Sequence, residues 1–167
     1  CQAGDESAFG ELVERYSPRL RFYLRKMLGV GPAAEDALQD VWLDAVRAVA
    51  KLLDPGAFPA WIYRLARDRA CRTLRRRRIY LPLEEEDLLQ DAGDSEAFSA
   101  DDVRQVHAAL DTLRPEHREV VVLRFLEDMS YDDIARVVGC QVGTVRSRLH
   151  YAKRALRRIL EGTDRDE

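Results

Sequence analysis

Apolar residues recur every three or four positions along most of this chain, and the runs that keep that period mark out helices. Phe9, Leu12, Val13, Tyr16, Leu20 and Leu24 share one helical face, and Leu38, Val41, Trp42, Ala45 and Val49 share another. Asp54, Pro55 and Gly56 then give a turn signal. A third helix is expected from about Pro59 through Trp61, Ile62, Leu65 and Ala66 into a row of arginines. After Pro82 the period fails: residues 82–100 are acidic, contain Gly93 and Ser95, and predict a linker with at most a short helix. Helical spacing returns with Val103, Val106, Leu110 and Leu113, is punctuated by Pro115, and resumes with Val121, Val122 and Phe125. Neither an alternating strand pattern nor an internal repeat is evident. The expected fold class is therefore all-α, with two small helical domains at 1–80 and 103–162 joined by an acidic flexible linker at 81–102.

The segment from Ser130 to Leu156 carries the sharpest local signal, that of a helix-turn-helix. Ser130 suits a helix N-cap, with Asp132 and Asp133 in the first turn, where the helix dipole favours acids. Ile134 and Val138 form an apolar edge, Ala135 is small enough for a second helix to cross closely, and Gly139 permits a tight turn. In the next helix Val145, Leu149, Ala152, Leu156 and Ile159 align, while Thr144, Arg146, Ser147, His150, Tyr151, Lys153 and Arg154 are the candidates for DNA contact. From Arg146 to Arg158 there are six Lys or Arg and no acid. A solvated basic face on an ordinary hairpin is the plainer alternative.

With 167 residues, 46% of them hydrophobic, the chain is too apolar to be disordered throughout. Its net charge of −3 conceals strong segregation of sign. Residues 67–78 hold seven Arg against one Asp, whereas residues 84–102 hold nine acids and no base. Cys1, Cys71 and Cys140 are too scattered for a zinc site and odd in number, so they are read as reduced thiols of a cytoplasmic protein. No metal, cofactor or catalytic residue is expected, because the three His are isolated and no nucleophile-and-base spacing occurs. No apolar run approaches the roughly 20 residues that cross a bilayer, and no signal peptide opens the chain. Residue 1 is Cys rather than Met, so further N-terminal sequence is expected upstream.

Between Phe58 and Arg78, aromatic residues precede the arginine row: FPAWIYRLARDRACRTLRRRR. Aromatic faces stack on exposed bases for roughly 1–3 kcal/mol each and arginines neutralise phosphates, a combination suited to single-stranded or melted DNA. The candidates for that contact are Phe58, Trp61, Tyr63, Arg64, Arg67, Asp68, Arg72, Arg75 and Arg76. Ile62, Leu65 and Ala66 are core residues by spacing, and Trp61 is open to either role. A third region, AEDALQDVWLDAV, places Glu35, Asp36, Asp40 and Asp44 beside an apolar stripe that includes Trp42. An acidic face of this kind can be simple solvation, or a dock for a basic protein partner.

Taken together, these three segments resemble the bacterial RNA polymerase sigma factors of the extracytoplasmic-function group, and they occur in that family's order. AEDALQDVWLDAV resembles the polymerase-binding motif of region 2. The Phe58–Arg78 segment resembles the part that opens and reads the minus-10 promoter element. LRPEHREVVVLRFLEDMSYDDIARVVGCQVGTVRSRL resembles region 4. The resemblance implies a factor that binds core RNA polymerase, with Asp36, Gln39 and Asp40 facing the β′ clamp helices and a further contact to the β flap. It implies minus-35 recognition as duplex by the second domain, and a base flipped from the minus-10 strand held by the first. It also implies an anti-sigma partner, with no membrane contact by this chain.

Three departures from the family pattern fall on reading positions. Asp68 stands where Asn is frequent, which replaces a group that donates and accepts by one that only accepts. Pairing of Asp68 with a neighbouring Arg is the structural alternative. Tyr151 stands where Arg is frequent, and His150 where an apolar or aromatic residue is common. A stand-alone helix-turn-helix regulator remains the rival function, and it would bind duplex tightly without polymerase.

Overall fold

A computed structural model of the chain describes residues 6–80 and 100–163. The linker expected at 81–102 therefore falls mostly outside the described residues, as does Cys1. Seven helices are described: α1 (Glu6–Leu28), α2 (Pro32–Ala48), α3 (Phe58–Tyr80), α4 (Ala100–Asp111), α5 (Pro115–Val121), α6 (Tyr131–Val138) and α7 (Val142–Thr163). The first three pack on one another, and the last four form a second unit. The fold is all-α with two small helical domains, as the periodicity predicts.

In the first unit Leu20, Tyr23 and Leu24 of α1, Ala37, Leu38, Val41 and Ala45 of α2, and Ile62, Ala66 and Ala70 of α3 are buried. Each large aliphatic side chain taken from water in this way stabilises the fold by roughly 1.5–3 kcal/mol. Trp42 lies at the margin of this core, edge-on to Phe9 with ring centroids 5.8 Å apart. The second unit departs from a simple helical reading after α5. Residues 122–126 widen into one π-type turn, in which the Glu127 amide donates to the Val122 carbonyl and the Met129 amide to the Leu123 carbonyl.

The two units are packed together, and their buried apolar residues form one continuous cluster. Arg19, Tyr23 and Lys26 lie along one stripe of α1 and meet the second unit. Arg19 pairs with Glu127 at 2.8 Å, Tyr23 Oη donates to Glu119 at 2.7 Å, and Lys26 Nζ donates to Asp111 at 3.0 Å. Arg118 joins the units in a second way. Its guanidinium donates to the carbonyls of Leu110 and Asp111, which end α4, to that of Leu113 just beyond it, and also to the Lys26 carbonyl at the end of α1. Orphan carbonyls at two helix ends are thus satisfied by one side chain.

Candidate nucleic-acid and polymerase interfaces

The helix-turn-helix is built from local chemistry that the sequence displays openly. Ser130 caps α6: its Oγ accepts from the Asp133 amide at 3.1 Å and donates to the Asp133 carboxylate at 2.7 Å. Gly139 ends α6 in the left-handed region, φ 67°, and its amide donates to Ala135 O. Ile134, Ala135 and Val138 of α6 and Val145, Leu149 and Ala152 of α7 are buried. The packing of those residues turns the opposite face of α7 outward, and Arg146, Ser147, His150, Tyr151, Lys153 and Arg154 are all exposed, with Thr144 half-buried. Several are already held in place. Arg146 lies over the Tyr131 ring, Lys153 over the Phe125 ring, and Ser147 Oγ donates to the Thr144 carbonyl.

On α3 the candidate residues separate by face. Arg64, Asp68, Arg72, Arg75 and Arg76 are exposed. Tyr63 is 1% exposed and Phe58 7%, so both aromatic rings belong to the interior in this conformation. The plane of Phe58 meets Tyr16 edge-on at 5.3 Å, and half-buried Trp61 lies 5.7 Å from Phe58. Burial, with the Glu127 charge as the next cause, pushes the Tyr63 hydroxyl far above its ordinary pKa. Asp68 makes no ion pair among the described residues, which leaves its carboxylate open to solvent.

Arg67 is the α3 candidate most affected by the packing of the two units. Its Nε donates to Glu119 Oε1 at 2.9 Å, and Glu119 is itself 3% exposed. One turn away, Arg64 donates to the Arg136 carbonyl of α6 at 3.3 Å. The α3 surface is therefore partly occupied by the second unit, whereas the outward face of α7 is not.

The α2 surface presents Asp36, Gln39 and Asp40, all exposed, next to two apolar side chains that the sequence reading passed over: Leu43 and Val46 are 54% and 58% exposed. Their signal was available, since both fall out of phase with the Leu38, Val41, Ala45 core stripe. Asp40 and Asp44 both reach across to Arg69 of α3, which donates to Asp40 at 3.0 Å and to Asp44 at 2.8 Å. Trp42 faces Phe9 rather than this surface. A second feature not foreseen is a cavity of about 440 Å³ beside the 49–57 connection, lined by Tyr16, Leu52, Pro55, Phe58 and Pro59 with Arg15 among the walls.

Among the described residues no group of three or more His, Cys, Asp or Glu is placed to hold a metal ion, and no helix is long and apolar enough to cross a membrane. Cys71 and Cys140 are free thiols.

A helix-turn-helix unit packed on an arginine-bearing three-helix unit defines a class of two-domain, helical DNA-binding proteins, and comparison with known proteins narrows it. Residues 12–79 match the family described as sigma-70 region 2, and residues 103–156 match sigma-70, region 4. The RNA polymerase sigma-H factor of Pseudomonas aeruginosa is 31% identical over 96% of this chain and 90% of its own length. The ECF RNA polymerase sigma-E factor of Escherichia coli K12 is 30% identical over 93% of this chain and 87% of its own length. Among solved structures, the sigma factor RpoE in complex with the anti-sigma factor NepR from Bartonella quintana superposes with a TM-score of 0.79, at 22% identity over 96% of this chain and 99% of that one, a likeness of fold. The chain belongs to the extracytoplasmic-function group of RNA polymerase sigma factors. It is a promoter-directing initiation factor, and the match of its first half to region 2 disfavours the stand-alone regulator.

Proposed function

We propose that this sigma factor uses three separate surfaces and that the packed arrangement of its two units is the resting form, opened when core RNA polymerase binds. The observation that carries the reading is the occupation of Arg67 by Glu119, which sets a carboxylate where a minus-10 phosphate would otherwise sit. Polymerase binding at α2 then draws the units apart and uncovers α3.

In this reading Asp36, Gln39 and Asp40 form the charged rim of the polymerase dock and Leu43 and Val46 its apolar centre, against the β′ clamp helices. Trp42 braces the dock from behind, and the second unit takes the β flap. On the opened α3, Arg64, Arg67, Arg72, Arg75 and Arg76 meet phosphates, while Trp61 and Asp68 meet a base. The cavity beside Phe58 suits a flipped base: its walls are mainly apolar, and stacking there offsets the few kcal/mol needed to unstack a nucleotide. Tyr63 shapes the wall of the core behind it. On α7, Thr144, Arg146, Ser147, His150 and Tyr151 approach base edges of the minus-35 duplex, and Lys153 and Arg154 approach phosphate. Because a linker of about 20 residues spans at most about 70 Å, the polymerase sets the spacing of the two readers.

An anti-sigma factor is the further partner of this reading. The fold is shared with RpoE, whose structure holds the anti-sigma factor NepR, and the closed packing gives such a protein a defined state to stabilise. The site of action is the cytoplasm. RNA synthesis belongs to the polymerase, and no chemical step is assigned to this chain.

Promoter-dependent transcription with purified core polymerase tests the proposal. Specific initiation that requires both components is the expected result. Tight, specific duplex binding by the isolated protein, with no transcription from any selected promoter, would return the stand-alone regulator.

A further inference from the structure

The acids of α2 are not equally free. Glu35 is held by Arg21 and Arg25 of α1, whereas Asp40 and Asp44 share a single guanidinium, that of Arg69 on α3. Asp40 and Asp44 stand four positions apart, so their carboxylates lie one above the other on the same face of α2, a spacing at which like charges repel. By bonding both, Arg69 offsets that repulsion.

The two bonds differ in depth. The Arg69 and Asp44 side chains are 25% and 27% exposed, and that of Asp40 is 51% exposed. Arg69 is anchored inward, with Nε and Nη2 both donating to Asp44 Oδ2. It reaches outward with Nη1, which donates to Asp40 Oδ2 at 3.0 Å. The other oxygen of Asp40 accepts from no described residue. A guanidinium is a rigid planar fork, so fixing two of its nitrogens on Asp44 also fixes the direction of the third. The Asp40 carboxylate is thereby steadied through one oxygen while the other stays turned to solvent. A side chain ordered in advance loses less freedom when a partner takes it.

We infer that Arg69 is a positioning residue for the polymerase dock: braced on Asp44, it holds Asp40 by one oxygen and presents the other to a cationic group of core RNA polymerase. The inference rests on the reading of α2 as the dock made above. Arg69 also cancels one negative charge of a surface that must attract a basic partner. It therefore slows encounter while prolonging the complex, and a contact that only stabilised the fold would not act in these opposite directions.

Association and dissociation rates of full-length protein with core polymerase, measured at low salt, test the assignment. Arg69→Gln should associate about twofold faster, because the dock becomes more negative, and dissociate about tenfold faster, because Asp40 is no longer held. Arg69→Lys keeps the charge and loses the fork, so it should associate at the parental rate and still dissociate faster. In an Asp40→Ala background, Arg69→Gln should leave dissociation within about twofold of that background, since the group it positions is gone. Parental dissociation of Arg69→Gln, with binding weakened by Asp40→Ala, overturns the positioning role and leaves the dock standing. Equal acceleration by Arg69→Gln with and without Asp40 also overturns it, in favour of a purely structural bridge between α2 and α3. If Asp40→Ala binds core as tightly as the parent, the dock reading itself fails and takes the role of Arg69 with it.

Discussion

Tyr23 of α1 donates its hydroxyl to Glu119 of α5 at 2.7 Å, across 96 positions of chain, and Glu119 in turn accepts from Arg67 of α3. One buried carboxylate is therefore shared by both helices of the first unit that face the second. Tyr23→Phe removes one of its two partners and keeps the ring. A hydrogen bond to a charged group is worth about 1.5–3 kcal/mol, so the variant should loosen the packing of the units by about that amount without loss of helix. Small-angle scattering should report a larger radius of gyration for the variant at unchanged helicity, and an identical radius would show that the bond does not hold the units together.

The same tyrosine sets an alkaline limit. Burial, and after it the charge of Glu119, raise the Tyr23 hydroxyl well above its ordinary value of 10.0. Because the folded pKa exceeds the unfolded one, the stabilisation is complete below the unfolded value and is lost as pH rises through the folded one. Tyr63 acts in the same direction. Above pH ~10 the packed form should lose up to about 1.4 kcal/mol per pH unit for each tyrosine. Denaturant midpoints followed with pH should fall more steeply in the parent than in Tyr23→Phe.

On α2, reversing Asp36 and Asp40 to Lys should weaken binding to core polymerase at least tenfold while the helix remains folded, since Asp36 is exposed and Arg69 keeps Asp44 when its pair with Asp40 is lost. Leu43→Ser/Val46→Ser should give a loss of similar size that salt does not restore. Unchanged affinity of the Lys pair for core would remove α2 from the interface.

Gly139 adopts φ 67°, and a Cβ there would meet nothing within 4 Å, so the cost of Gly139→Ala is conformational alone. It should destabilise the second unit by about 1–2 kcal/mol, read as a lower thermal midpoint.

For the bases themselves, Asp68→Asn should change preference at one minus-10 position, because an acceptor becomes a group that also donates. Arg146→Ala should cost roughly 1–3 kcal/mol and relax choice at one minus-35 position. A randomised-promoter selection with each variant separates base contact from phosphate contact: uniform weakening by Arg146→Ala, with discrimination intact, would place that side chain on the backbone instead.

Much of the fold was legible because its signals are local. The Ser130 cap, the Gly139 turn and the apolar spacing of α6 and α7 lie within some 30 residues of one another, and each constrains the backbone directly. The face on which α5 would find its partner was not legible. Glu119 opens the run Glu-Val-Val-Val-Leu, and its burial depends on residues of α1 and α3 that helical periodicity cannot point to. The aromatics of α3 were ambiguous for a different reason. The properties that let Phe58 and Tyr63 stack on a base also let them fill a core, and spacing alone does not choose between the two. The wide turn at residues 122–126 has no local marker at all, since Val122, Leu123 and Phe125 continue an ordinary apolar pattern.

If α3 reads minus-10 DNA as proposed, the Glu119 contact makes promoter affinity a matter of populations. A surface that is available in only a fraction of the molecules binds with an apparent Kd equal to its intrinsic Kd divided by that fraction. Each ~1.4 kcal/mol that favours the closed packing lowers the open fraction tenfold and weakens minus-10 binding by the same factor. The outward face of α7 bears no such penalty, because it is exposed in the closed form. The two halves of one promoter thus meet the same free protein at different effective strengths, and any molecule that opens or closes it resets their ratio without touching DNA.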